Sequence, residues 1–451
     1  MTAGGSVDDV VASVRERVEP DADERRRLQE TAADLVDRAE RAVADLDVDA
    51  DVLQVGSTAR DTWVSGDRDI DVFVRFPPDL PRADLERIGL QVGAAVLPHG
   101  REEYADHPYV TGVARGFDVD LVPCYRLASA RDIQSPVDRT PFHNEYVAER
   151  LSPEEATAVR LLKQFLKGIG AYGSDLKTRG FSGYLTELLV LEYGDFAAVL
   201  EAVADWRPPV HFDPEGHGAA DFDDPLVVID PTDPERNVAA VVAAENVARL
   251  QHHARAFLDV PTEERFFPSD PDPLSPGDIR DHVRARGTTP LAIRFDPPDV
   301  VEDQLYPQLH RSLDGLVRGL EGHGFAVLRS LTLAEESALL LVELAVAALP
   351  AVERHEGPPV FADRHARDFY EKYADADAYG PFIDGDRYVV ERERSITDAA
   401  TFVDERLFEV ALGAQVETAL ADGYDLLVGE DIGELSAEFG VALARYFDPT
   451  P

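Results

Sequence analysis

Cysteine is almost missing from this chain of 451 residues: Cys124 stands alone, which excludes an intrachain disulfide and any multi-thiolate zinc site. Positive charge is scarce as well. The 44 Lys and Arg residues face 87 Asp and Glu, a formal net charge of -43. Lysine occurs only at Lys163, Lys167, Lys177 and Lys372. Long apolar runs are missing too. The longest, Ala338 to Leu349, is interrupted by Glu343 and is too short to span a bilayer. Met1 to Val10 is acidic and lacks the basic and apolar regions of a signal peptide. These absences predict a soluble, cytoplasmic protein with no membrane partner.

A chain so acidic ordinarily repels nucleic acid. Replacement of Lys by Asp, Glu and Arg over whole surfaces is, however, the habit of proteins from salt-saturated cytoplasms. At 1 M salt the Debye length is roughly 3 Å, so long-range repulsion nearly vanishes while close contacts survive. The acidity therefore points to a halophilic habitat and says little about partners. The apolar fraction of 44% suits globular folding, and the length predicts two to four domains.

Residues 6–45 carry apolar positions on a 3.6-residue period and read as helical. Short strands follow at Val52–Val55, Ile70–Phe76, Tyr109–Val113 and Val119–Pro123, a compact α/β unit up to about residue 150. From Ser152 the pattern turns helical. Ser152, Pro153 and Glu155 supply an N-cap, a first-turn proline and a reciprocal capping Glu, and Gly168 sits where that helix should stop. Ser182 caps a helix through Tyr193, and Asp233-Pro234 is expected to open a long helix through Leu258. Residues 259–278, rich in Pro and Asp, read as a boundary. Beyond it, Leu291–Phe295, the helix Val301–Leu320, and the strands Phe325–Thr332 and Ala338–Ala347 make a second α+β unit. Pro307 should kink that helix or mark its start. Tyr388–Arg394 and a helix Asp398–Asp422 close the chain and should return to an earlier domain.

Chemistry concentrates in three segments. In the first, Gly56-Ser57 is followed by Asp69-Ile70-Asp71-Val72-Phe73-Val74. Strand alternation puts Asp69 and Asp71 on one face and Ile70, Val72 and Val74 on the other. Paired carboxylates on a half-buried strand suit hard divalent cations. Asp-x-Asp alone is common here, as at Asp47, Asp49 and Asp51, so the upstream turn matters. Its backbone N–H groups, with Ser57, Thr58 and Arg60, can hold a triphosphate against metals; a plain helix cap by Ser57 is the alternative. The second segment, Gly116 to Tyr125, is another strand with acids on one face, Asp118 and Asp120. Asp120, bordering Leu121-Val122, is the better candidate for the third carboxylate that a two-metal transfer needs. Cys124 reads as core. In the third segment Arg160, Lys163 and Lys167 share one helix face, with Lys177, Arg179 and Tyr172 nearby. Three of four lysines within fifteen residues favour a phosphate ligand over a solvated face.

These pieces together resemble the polymerase-β-like nucleotidyltransferases. The stretches "VGSTARDTWVSGDRDIDVFVRFP", "VDLVPCYR", "VDRTPFHNEYV", "LLKQFLKGIGAYGSDLKTRGFSGYLTELL", "DPERNVAAVVAAENVARL" and "DQLYPQL" look like the class I, archaeal CCA-adding enzymes, nearly end to end. The resemblance implies an α+β, multidomain fold: a palm-like head with a mixed sheet (1–150), a helical neck (151–228), an α/β body (229–290 and 376–451) and an α+β tail that grips tRNA (291–375). It makes Asp69, Asp71 and Asp120 the ligands of two Mg²⁺ ions. Gly56, Ser57 and Arg60 would hold the triphosphate, and Thr140 and His143 would touch sugar and phosphates. Lys163 and Tyr172 would complete the phosphate and ribose grip, and Arg236 would stand near the base. The implied activity adds C, C and A to the tRNA 3′ end from CTP and ATP without a template; a homodimer is left open. The family's RNA-binding faces are usually basic, and this tail has few bases. The nearest rival reading is a poly(A) polymerase; others are a nucleotidyltransferase acting on a small molecule or protein, and a non-catalytic RNA-binding module.

Overall fold

The computed structural model describes residues 6–104, 107–218 and 221–451. The chain divides into two compact units, one running to Ser269 and one spanning Asp270–Thr450.

The first unit opens with α1 (Val7–Val18) and α2 (Ala22–Ala44). The expected helical stretch thus breaks at Glu19-Pro20. Pro20 cannot donate a helical hydrogen bond, and Asp21 caps the second helix by accepting from the Glu24 N–H. Then come β1 (Asp51–Val55), α3 (Gly56–Ala59), β2 (Asp69–Phe76), α4 (Arg82–Val96), β3 (Arg101–Tyr104), β4 (Pro108–Ala114) and β5 (Phe117–Tyr125). The strands form one sheet in the order β1-β2-β5-β4-β3, with β2 and β5 parallel and the other pairs antiparallel. Alternation works as read: Ile70, Val72, Val74, Val119 and Leu121 enter a core with Leu35 of α2 and Leu85 of α4. The opposite face carries Phe73, Val122 and Cys124 with Val55 and, toward the strand starts, the acids.

Four helices follow, α5 (Thr140–Arg150), α6 (Pro153–Gly168), α7 (Gly183–Tyr193) and α8 (Phe196–Ala204), then β6 (Val210–Phe212), β7 (Leu226–Asp230), β8 (Asp233–Asn237) and α9 (Ala244–Asp259). Ser152 and Glu155 make the reciprocal cap of α6, and Ser182 caps α7. The helix expected from Asp233 is instead strand β8, paired with β7, and the helix starts only at Ala244. Asn237 explains the difference. Its side chain accepts from the N–H groups of Val228 and Ala239 and donates to the Leu226 carbonyl, so pairing with a neighbouring strand outweighs helical period.

The second unit contains α10 (Pro276–Arg286), β9 (Thr289–Phe295), α11 (Glu302–Gly322), β10 (Ala326–Ala334), β11 (Ala338–Val346), β12 (Val352–Pro359), α12 (Asp363–Tyr373), β13 (Ala378–Asp384), β14 (Arg387–Glu393), α13 (Ala399–Arg406), α14 (Ala414–Asp422), β15 (Asp425–Val428) and α15 (Ser436–Phe447). Pro307 lies inside α11. The helix expected over Asp398–Asp422 is two, α13 and α14. One antiparallel sheet runs β10-β11-β9-β15 and another β12-β14-β13. β11 is the apolar run noted above, buried from Ala338 to Leu344. Leu340 and Val342 pack toward α11, and Leu339 and Leu341 toward α10 and α15, which is why this strand reads as continuous rather than alternating. Among the described residues, no helix is long and apolar enough to cross a membrane.

Candidate active site

Parallel pairing of β2 with β5 sets Asp69 opposite Asp118 and Asp71 opposite Asp120. The apolar residues between them hold both strands by the core face, so the acids are confined to the other face. Asp71 is the most enclosed. Burial first, then the charges of Asp120 and Asp69, push its pKa up to about 7, with Arg60 opposing. Asp69 is raised by burial and by Asp67, Asp118 and Asp120. Burial also raises Asp120, against a hydrogen bond from Thr111. Asp118 is exposed. Carboxylates that repel one another in a partly dry site fit a bound cation, whose charge removes both the repulsion and the burial penalty. As they stand, no three His, Cys, Asp or Glu side chains among the described residues form a group able to hold a metal ion.

Gly56 begins the short helix α3 directly after β1, with φ +81°. A Cβ at this position would lie 2.0 Å from Asp71 Oδ2. Glycine is therefore required twice over, for the backbone angle and for the carboxylate that occupies its missing side chain's place. Ser57 is half-buried on the same turn, and its carbonyl accepts from the Thr62 N–H.

Arg60 leaves this turn for α5 and α7. Its Nε donates to Glu187 Oε1 at 3.1 Å and its Nη1 to Asn144 Oδ1 at 3.0 Å, and its Nη2 lies 2.9 Å from Glu187 Oε2. Glu187 is fully buried and also accepts from Thr62 Oγ1 at 2.5 Å. Lys163 is buried beside it, its Nζ donating to the Thr62 carbonyl at 2.9 Å. Burial lowers the Lys163 pKa to about 8, with Glu187 opposing. A Cβ on Gly183 would lie 3.2 Å from the Tyr172 hydroxyl and 3.7 Å from Lys163 Nζ, which brings these two side-chain ends to one spot. Burial drives the Tyr172 phenol pKa upward.

On α6, Arg160 and Lys163 are buried and Lys167 is exposed, and all three are paired within the chain. Arg160 Nη2 reaches Asp61 Oδ2 at 3.0 Å, Lys163 reaches Thr62, and Lys167 Nζ reaches Asp67 Oδ1 at 2.7 Å. Each of the three holds a point on the Asp61–Asp67 loop between α3 and β2.

His143, on the first turn of α5 with Thr140, stacks on Tyr184 with ring centroids 3.9 Å apart and planes at 13°. Its Nε2 lies 2.8 Å from Asp230 Oδ2, and Arg236 Nη1 donates to the same oxygen at 2.8 Å. Arg236 stands on β8, not on a helix. Arg60, on the turn that follows β1, thus bonds to Asn144, the residue after His143 on α5. Sequence reasoning missed Glu187, Asp230, Tyr184 and Asn144. The one available signal was a lone acid in an apolar run: Glu187 within Leu185–Val190, and Asp230 ending Leu226–Ile229.

Three family models match in succession: "Nucleotidyltransferase domain" over residues 36–143, "tRNA nucleotidyltransferase, second domain" over 157–267 and "CCA-adding enzyme, C-terminal domain" over 286–429. The chain is 61% identical over 444 residues to a protein of Halobacterium salinarum named CCA-adding enzyme, covering 98% of each. It is 58% identical to one of that name from Haloarcula marismortui, over 98% of this chain and 99% of the relative. To that of Methanosarcina barkeri it is 39% identical, over 99% of each.

Proposed function

We infer the roles of these residues from one premise: the chain belongs to the family of CCA-adding enzymes. Its reaction is the template-independent addition of C, C and A to the tRNA 3′ end from CTP and ATP. The RNA 3′-hydroxyl attacks the α-phosphate and pyrophosphate leaves. The enclosure of Asp71 against Asp120 and Gly56 is the observation that supports the site most strongly.

Asp69, Asp71 and Asp120 would hold two Mg²⁺ ions. When bound, such ions activate a hydroxyl and stabilise developing phosphate charge. Mg²⁺ is usually held by one or two carboxylates together with substrate phosphates, which suits carboxylates that form no closed cage alone. Ser57, the α3 backbone and Arg60 face the triphosphate. Glu187 and Asn144 leave the Arg60 guanidinium with donors to spare, since it has five, and fix the direction of the rest. Lys163 and Tyr172 complete the grip on phosphate and ribose, with Thr140 and His143 beside sugar and phosphates.

Arg236 supplies the donor that reads the base, acting with the RNA backbone. Cytosine and adenine both present an amino donor beside a ring-nitrogen acceptor, whereas uracil and guanine present a carbonyl beside an N–H. One fixed donor and acceptor therefore serve both correct nucleotides, and a wrong one leaves buried polar groups unpaired at roughly 1–3 kcal/mol each. Residues 1–150 act as head, 151–228 as neck, and 291–375 as the tail that grips tRNA. The enzyme works in the cytoplasm. Incubating it with tRNA lacking its 3′ end, Mg²⁺ and each nucleotide separately tests the reading: CTP and ATP should be incorporated. Loss of neither transfer nor nucleotide binding on substitution of Asp71 or Asp120 would refute the site.

A further inference from the structure

Asp230 ends β7 with none of its side chain exposed, yet it is loaded with donors. Its Oδ1 accepts from the Thr232 N–H at 2.9 Å and the Thr232 hydroxyl at 2.8 Å. Its Oδ2 accepts from Arg236 Nη1 and from His143 Nε2, both at 2.8 Å. Two of these donors are the proposed base and sugar–phosphate contacts, brought from α5 and β8 to one oxygen. We propose that Asp230 is a positioning residue for nucleotide choice: one buried carboxylate sets the tautomer of His143 and the aim of Arg236, so that the two contacts turn together. The proposal rests on the assignment of His143 and Arg236 as nucleotide contacts.

The physical reason is donor arithmetic. An ionised carboxylate only accepts, so the 2.8 Å contact requires a proton on His143 Nε2. In the neutral ring this leaves Nδ1 as an acceptor, and burial keeps the ring pKa below its usual value. Burial alone would raise the Asp230 pKa, but the bonds from His143 and Thr232 and the charge of Arg236 hold it well below the usual carboxylate range. Stacking on Tyr184 fixes the ring plane; the carboxylate decides its rotation within that plane. The guanidinium of Arg236 is tethered at one nitrogen, and its remaining donors point where Asp230 directs them. An Asn at 230 keeps the size but offers an amide that donates as readily as it accepts, which permits the other tautomer.

The test uses the full chain in molar KCl, labelled with ¹⁵N-histidine and free of nucleotide, with the ring signals of His143 assigned from His143→Gln. The wild type should show a protonated Nε2 and an unprotonated Nδ1. Asp230→Asn should reverse or mix the two forms. On tRNA lacking its CCA end, it should lower the CTP over UTP ratio in kcat/KM by roughly 10- to 100-fold, by analogy with the loss of a partner that orients a metal-bound histidine. The loss should fall mainly on KM for CTP. If Asp230→Asn fails to fold by circular dichroism, Thr232→Val decides, since it removes one bond to Oδ1 and touches neither contact residue. It should move the His143 Nε2–H signal and lower the CTP over UTP ratio several-fold. A folded variant with either readout unchanged overturns the positioning role. Wild-type KM and discrimination in His143→Gln and Arg236→Ala would instead overturn the underlying assignment of the contacts.

Discussion

Gly56→Ala separates a cost to the fold from a cost to the chemistry. Gly56 has φ +81°, a region that costs an ordinary L-residue about 1–2 kcal/mol. Stiffening the unfolded chain returns about 0.4–1 kcal/mol, so the net backbone cost is about 1 kcal/mol. The steric part falls elsewhere. The new methyl would lie 2.0 Å from Asp71 Oδ2 and 3.1 Å from its Cγ, and van der Waals contact between such atoms needs roughly 3.5 Å. The carboxylate must therefore withdraw by more than 1 Å, and a misplacement of about 1 Å costs roughly 100-fold in rate. Gly116→Ala is the matched control. Its φ is +85°, but nothing lies within 4 Å of the added Cβ. Denaturant unfolding in molar KCl should show the two variants destabilised to a similar extent. Single-turnover CTP addition should fall at least 100-fold in Gly56→Ala and stay near wild type in Gly116→Ala. Equal activity in both variants would refute the placement of Asp71 against this turn.

Asp69→Asn, Asp71→Asn and Asp120→Asn should each nearly abolish transfer with the circular dichroism spectrum unchanged, while the exposed Asp118→Asn should matter far less; the opposite order for Asp118 and Asp120 would move the third carboxylate. Arg236→Ala should raise UTP incorporation relative to CTP more than it weakens Mg²⁺ dependence, and a wild-type enzyme that used UTP as well as CTP would sink the base-edge argument. In the second unit, Glu343 on β11 is buried and accepts from Arg286 at 2.6 and 3.0 Å, from Thr288 at 2.5 Å and from Tyr446 at 2.9 Å. Burial raises its pKa, but these partners bring it from 4.5 to about 2. Its contribution, about 3 kcal/mol, is present above about pH 4.5 and is lost as pH falls through 2. The stability gap between wild type and Glu343→Gln in urea titrations should narrow over that window, and a gap independent of pH would exclude the ionic origin. Finally, self-repulsion of a net charge of -43 destabilises the compact state unless screened; dialysis from multimolar KCl into dilute buffer should unfold the protein by circular dichroism.

What could be read without coordinates was what is written within a few residues of chain. The alternation of Asp69, Ile70, Asp71 and Val72 assigns each side chain a face because strand geometry repeats every two residues. Ser152 and Ser182 mark helix starts because the N–H groups they satisfy lie within one turn. Scarce lysine and abundant acid bespeak concentrated salt by composition alone, and the relatives from Halobacterium salinarum and Haloarcula marismortui agree. Tertiary structure decided which distant groups meet. Asp71 faces Asp120 only because β2 and β5 pair in parallel register. The cations of α6 had a legible spacing, but whether that face met water or the Asp61–Asp67 loop depended on packing. The segment after Asp233 carried helical period and became a strand because Asn237 found its partners on β7. Glu187 and Asp230 each looked like one acid in an apolar run. A buried charge is tolerated only where several donors converge on it, and those donors come from segments that only the folded chain brings together.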